Sequence, residues 1–189
     1  MTAKSAKRFP SAPLVIALFV ASGALWAVLA LVTLPHLQHL ANGAAPFDLR
    51  RSGYSYEEAR QFLDAIGEQG RAYYLNPELL LDTFFPPLYA GLGALVLWWL
   101  TMPGRLRAGA TPAVWRWALI ALPVAELIFD WGENACIAAM IWTWPDLSPV
   151  LVRVSSVATR LKYAVVALTA ISLVALAAAA LLRRYGRRG

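Results

Sequence analysis

Residues 113–144 read AVWRWALIALPVAELIFDWGENACIAAMIWTW, a run apolar enough for a bilayer that still carries Glu126, Asp130, Glu133 and Asn134. At a helical advance of about 100° per residue the three carboxylates fall within about 60° of one another, and Asn134 widens the arc to about 100°. An ionised carboxylate in hydrocarbon costs at least about 2.5–3.5 kcal/mol, so three on one face turn away from lipid. They must face protein, water, a cation or a bound ligand. The stretch therefore implies a membrane protein with a polar site between its helices.

The rest of the chain fits that constraint. Of 189 residues, 59% are hydrophobic, which suits a small helical membrane protein. The net charge of +6 is unevenly placed: Lys4, Lys7 and Arg8, then Arg105, Arg107 and Arg116, then Arg183, Arg184, Arg187 and Arg188. Each cluster abuts an apolar run, which reads as membrane-flanking charge and excludes a nucleic-acid partner. The single cysteine, Cys136, rules out an intrachain disulfide and a CxxC redox pair.

Four spans are expected. Residues 12–34 are uncharged and exceed the apolar core of a cleaved signal peptide, so they read as a retained first span ended by Pro35. His36 and His39 follow at the membrane surface without an adjacent carboxylate, a weak metal signal. In the polar segment 40–76, Ser55 and Glu58 form a capping box for a short amphipathic helix over 56–66, with Phe62, Leu63 and Ile66 on its apolar face and Gly67 as its stop. Asn76-Pro77-Glu78 reads as the start of a second span, 77–101, in which Pro86 and Pro87 should kink the helix and free backbone carbonyls. The third span is 113–144, the fourth 149–182. The fold class is all-α: a polytopic membrane protein, one antiparallel four-helix bundle over 1–189 with a short helix in its first extracytoplasmic loop. Every acid lies away from the basic clusters, so both termini are expected on the cytoplasmic side of a plasma membrane, the bacterial inner membrane if the source is bacterial.

Helical rise sets Glu126 about 15 Å above Arg116, near the middle of a core about 30 Å thick. Asp130 and Glu133 follow at about 21 and 25 Å. The expected picture is a polar column opening outward. Glu126 is its floor, without a basic residue at its level on the third or fourth span. Asp130, Glu133, Asn134, Tyr89 and Arg160 form its walls, and Asp82, Arg71 and Arg153 stand at its mouth. Arg160 is expected to pair with Glu133 or Asp130, with Lys162 as a second cation.

Three function classes follow from this column. One is an outward-opening pocket for a lipid-like or cationic amphipathic molecule, with Glu126, Asp130 and Glu133 available as acid and base and Asn134, Tyr89, Asp82, Arg71, Arg153 and Arg160 as binding groups. Another is a non-catalytic subunit whose buried charges are ion pairs that fix helix register. The third is proton or cation transfer, against which stands the lack of polar residues below Glu126. The residues do not decide whether the chain is an enzyme. No cofactor is expected, and the acid spacing matches no familiar metal motif. Cys136 and Ser156 lack a positioned base, which leaves nucleophilic catalysis without support. The partners expected are membrane lipids, the amphipathic ligand, and either a second copy of the chain or a larger membrane complex.

Overall fold

A computed structural model describes residues 11–102 and 112–185, and the described residues are helices and their connections, with no strand. Lys4, Lys7, Arg8, Arg187 and Arg188 and the 103–111 connection, with Arg105 and Arg107, lie outside the described residues, as do the side chains of Arg183 and Arg184. The helices are α1 (Ala12–Val28), α2 (Leu34–Leu40), α3 (Tyr56–Ala65), α4 (Gly67–Tyr73), α5 (Leu79–Leu100), α6 (Ala113–Trp142) and α7 (Pro149–Tyr185). Three continuous helical stretches, Ala12–Leu40, Gly67–Leu100 and Pro149–Leu182, are long and apolar enough to cross a membrane. Their outward faces carry exposed Ile16, Phe19, Leu31, Phe84, Ile171 and Val174, an apolar surface that water would not tolerate and lipid would. These features mark a membrane protein.

Two of these stretches run further than their prolines suggest. The first apolar helix does not stop at Pro35. A π-helical turn over Leu29–Thr33 joins α1 to α2, widening the helix where Pro35 has no N–H to give. Likewise Asn76-Pro77-Glu78 is not a helix start. Helix begins at Gly67, and a second π-helical turn, Tyr74–Glu78, carries it past Pro77 into α5. In both places a wider turn absorbs the missing hydrogen bond and the helix continues.

Pro86 and Pro87 sit inside α5, which continues unbroken to Leu100. Pro87 cannot bond the carbonyl of Thr83, four residues earlier. The Trp131 indole Nε1 donates to that oxygen instead, at 3.0 Å. The freed carbonyl thus becomes a bond between α5 and α6, the usual way a transmembrane proline is satisfied.

α6 packs between α5 and α7, and α1 packs on α5. The apolar core lies at one end of the bundle, where Phe47, Tyr54, Phe62, Leu63 and Tyr74 meet Leu37, Ile137, Met140 and Val152. Segment 41–66 is therefore a lid packed through this shared core onto α2, α6 and α7. Ser55 Oγ accepts from the Glu58 N–H, and Glu58 Oε2 accepts from the Ser55 N–H at 2.7 Å, closing the capping box. That bond holds the exposed Glu58 carboxyl below its ordinary range. Gly67, at φ +63°, takes the left-handed conformation that turns α3 into α4.

The lid is fastened to α7. The Tyr54 N–H donates to Ser156 Oγ at 2.9 Å, and its hydroxyl donates to Ser155 Oγ at 2.6 Å; burial pushes this phenol above its ordinary range. Gly53, at φ +81°, lies so close to α7 that an added Cβ would fall 2.5 Å from Ser156 Oγ.

Candidate functional site

Beside the lid lies a half-open chamber of about 490 Å³ that sets acids among apolar side chains, bordered by both proline-bridged helices, the lid, α6 and α7. Glu126, Asp130, Asp82 and Tyr89 line it, as do Asp48, Glu78 and Lys162. The carboxylates come from four parts of the chain: Asp48 from the lid, Glu78 from the π-helical turn, Asp82 from α5, and Glu126 and Asp130 from α6. Each is buried. Tyr89 OH donates to Asp130 Oδ2 at 3.1 Å. The Asn134 amide donates to Asp82 Oδ2 at 2.8 Å, linking α6 to α5. Tyr74 OH donates to Asp48 Oδ2 and Tyr163 OH to the Asp48 carbonyl, each at 2.5 Å.

The expected pair between Arg160 and the α6 acids does not form. Arg160 is exposed, and its Nε donates to the Ser156 carbonyl at 3.3 Å, beside the lid seam. Lys162 takes the part instead. Its Nζ donates to Asp130 Oδ1 at 3.3 Å and pairs with Glu133 Oε2, while Thr159 Oγ1 donates to Glu133 Oε1 at 2.5 Å. The reason is rotational. Arg160 and Lys162 lie about 160° apart around α7, so only one can face α6. The face that turns inward bears Ser155, Thr159, Lys162 and Thr169, all buried.

Arg71 and Arg153 are not at the mouth of the chamber. Arg71 Nη1 donates to the Leu63 carbonyl at 2.7 Å and its guanidinium lies over the Trp144 ring, tying α4 to the lid. Arg153 is exposed on α7. Asn134 and Glu133 stand behind the chamber wall. His36 packs its ring at a tilt of 53° against Tyr73, and Cys136 is a half-buried free thiol.

Asp48 and Glu78 are chamber residues that the sequence reading missed, and Lys162, considered there only as a second cation beside Arg160, enters the chamber in its place. A signal existed for Glu78: with Asp82, Phe85 and Tyr89 it repeats at i, i+4, i+7 and i+11, one helical stripe, once the helix is known to start before it. Nothing local marks Asp48, which reaches the chamber only because the lid folds back.

Glu126, Tyr89 and Val166 also line a second cavity of about 610 Å³, bounded otherwise by Val15, Phe19, Leu92, Pro123, Leu173 and neighbouring apolar side chains. Acid-lined chamber and apolar groove thus share a boundary, and Glu126 stands on it. Both are bordered by α1 on one side and α7 on the other. The arrangement can hold a molecule with a polar end and a hydrocarbon end, with a carboxyl group where the two meet. Comparison with protein-family models, with curated proteins and with solved structures finds no match to this chain, so the chemistry of the site rests on its own geometry.

Proposed function

We propose that this protein is a four-span integral membrane protein that binds a lipid-like amphipathic molecule, its polar end in the acid-lined chamber and its chain in the apolar groove. The observation that carries the reading is the shared boundary: Glu126, Tyr89 and Val166 line both cavities. Their sizes support it, since small-molecule sites run about 300–1,000 Å³. A site made only to fix helix register would have no use for an apolar groove that shares a wall with its acids.

The fourth span in this reading is α6, which turns its acids inward and exposes Val124, Ile128 and Trp131. Exposed Trp115 and Trp117 at one end and Trp142 at the other suit the two aromatic belts of a spanning helix. We place the protein in the plasma membrane with the lid on the extracytoplasmic side. Asp130 and Glu133 are committed to Lys162, and their share in this reading is to dock α6 on α7. Glu126 is the acid left to act chemically on a bound ligand, as proton donor or acceptor where the polar and apolar parts of the ligand join.

The test is lipid retention. Val166→Trp places an indole at the junction of the two cavities. Native mass spectrometry of protein released from nanodiscs should find amphiphile bound to the wild type and lost from Val166→Trp, with helical circular dichroism unchanged in both. Equal retention by the two proteins would overturn the proposal.

A further inference from the structure

Between α1 and α7 the bundle stays open. α1 packs on α5, and α7 packs on α6, α5 and α3, with at most slight contact between α1 and α7. Chamber and groove both border this gap. Charge sets its depth in a bilayer. Residues 163–182 of α7 carry none, and they make about 30 Å of helix, the thickness of a hydrocarbon core. Tyr163 therefore stands at the lid-side edge of the hydrocarbon. Tyr163 lines the chamber, Val166 lines both cavities, and Thr169, Ala170 and Leu173 continue down the groove. From Tyr163 to Leu173 the helix runs about 15 Å, half of that core. The chamber thus lies at the head-group edge, and the groove reaches about the middle of the bilayer.

Arg51 stands at the same edge. It is exposed, it lines the chamber, and its guanidinium lies 5.4 Å from the centre of the Tyr163 ring. The turn that carries it is pinned to α7 through Tyr54. Among the described residues its side chain forms no hydrogen bond and no ion pair. The other chamber groups are engaged. Lys162 is taken by Asp130 and Glu133, Glu78 bonds with Thr33, and Asp48 and Asp82 accept from Tyr74 and Asn134.

We infer that the amphiphile is a phospholipid of the bilayer, held between α1 and α7 in the orientation it has in the lid-side leaflet, with its phosphate on the Arg51 guanidinium. This rests on the amphiphile reading above and adds the class of lipid, its direction and the residue that reads its head group. Depth is the first argument. A phosphate lies just outside the hydrocarbon, which is the level that Tyr163 gives to Arg51, and an acyl chain ends near the middle of the bilayer, where Leu173 closes the groove. Chemistry is the second. A guanidinium meets phosphate oxygens with paired N–H bonds, and the Tyr163 ring that holds this one is itself fixed by its hydroxyl, which donates to the Asp48 carbonyl. Access is the third. The gap between α1 and α7 opens sideways, so the lipid arrives from its own leaflet with its head already at the level of Arg51. Held there, the phosphate keeps apart from Glu126, which stands deeper, on the wall of the groove.

The experiment titrates the delipidated full-length protein in a non-ionic detergent with a phosphatidylethanolamine and with the diacylglycerol of the same acyl chains. Bound lipid is counted by native mass spectrometry for the wild type, Arg51→Gln, Arg60→Gln and Val166→Trp. The wild type should hold the phospholipid at least about tenfold more tightly than the diacylglycerol. Arg51→Gln should erase that preference while leaving diacylglycerol binding in place. Arg60→Gln, which changes an exposed arginine on α3 away from the chamber, should keep it. Val166→Trp should weaken both lipids. Equal binding of the two lipids by the wild type overturns the phospholipid and leaves the amphiphile site standing. A preference that survives in Arg51→Gln, or is lost equally in Arg60→Gln, overturns the place given to the phosphate. Glycerol 3-phosphate, a phosphate head without chains, should not displace the phospholipid; displacement by it would make the ligand a soluble phosphate and overturn the bilayer source. No binding of either lipid, or full binding of both by Val166→Trp, removes the amphiphile site itself, and this inference with it.

Discussion

At the scale of single residues, Lys162 makes the ion pairs found among the described residues. Its ammonium group stands between Asp130 and Glu133, and all three side chains are buried. Lys162→Met keeps the length of the side chain and leaves two acids without their cation. Breaking a buried pair from one side costs about 3–5 kcal/mol, and unfolding in detergent should show a loss of that order. Arg160→Ala removes an exposed side chain that bonds a carbonyl of its own helix, so the loss should be about 1 kcal/mol or less. The reverse ranking would mean that Arg160, not Lys162, compensates α6. The acids of α6 were legible in the sequence because their angular spread is a property of one helix and needs no partner. Their cation was not. Periodicity says that Arg160 and Lys162 lie on different faces of α7, but which face meets α6 is decided by packing between helices. Thr159, bonded to Glu133, lies on the same face as Lys162 and turns with it toward α6.

At the scale of elements, the short-range features of the lid were readable and the long-range ones were not. The capping box of α3 was legible because both partners lie within four residues. Ser55→Ala should cost about 0.5–2 kcal/mol, measured by unfolding or as faster amide exchange over α3. The acid dependence has a definite sign. Glu58 has a folded pKa below its ordinary value of 4.5. Its contribution is therefore fully present above that value and is lost as pH falls through the lowered one. Exchange over α3 should rise in acid in the wild type, and less so in Glu58→Gln. The docking of the lid depends on Gly53, where φ is +81° and a Cβ would fall 2.5 Å from Ser156 Oγ. Gly53→Ala should lift segment 47–55 from α7, seen as faster proteolysis there with the helices intact; unchanged cleavage would mean that the seam can yield. Pro35 and Pro77 read as helix ends because a proline removes one hydrogen bond wherever it falls. Whether the chain then stops or widens into a π-helical turn depends on what the surrounding helices hold in place, and that is not written locally.

At the scale of the whole molecule, composition and packing give different counts of spans, and the difference can be tested. Three helical stretches are long and apolar enough to cross a membrane. α6 has 30 residues, about 45 Å of helix, but its acids lower its apolar character. It nevertheless packs along both α5 and α7, and its acids face those neighbours. If α5 and α7 cross the bilayer, a helix lying between them with Val124, Ile128 and Trp131 exposed crosses with them. The chain then makes four spans, and both termini share a side. In the proposed topology, basic residues near the ends of the spans make that side the cytoplasmic one. In a Cys136→Ser background, single cysteines at Ala44, Ala108 and Ser148 report three connections. A thiol reagent that cannot cross the membrane should label Ala44→Cys and Ser148→Cys in intact cells, and Ala108→Cys only after the membrane is opened. The position at Ser148 is the decisive one, because it changes side if α6 does not cross. Labelling at Ala44 without labelling at Ser148 would leave α6 on the cytoplasmic side. The acid-lined chamber would then lie outside the bilayer, and the case for a ligand drawn from the membrane would fall with it.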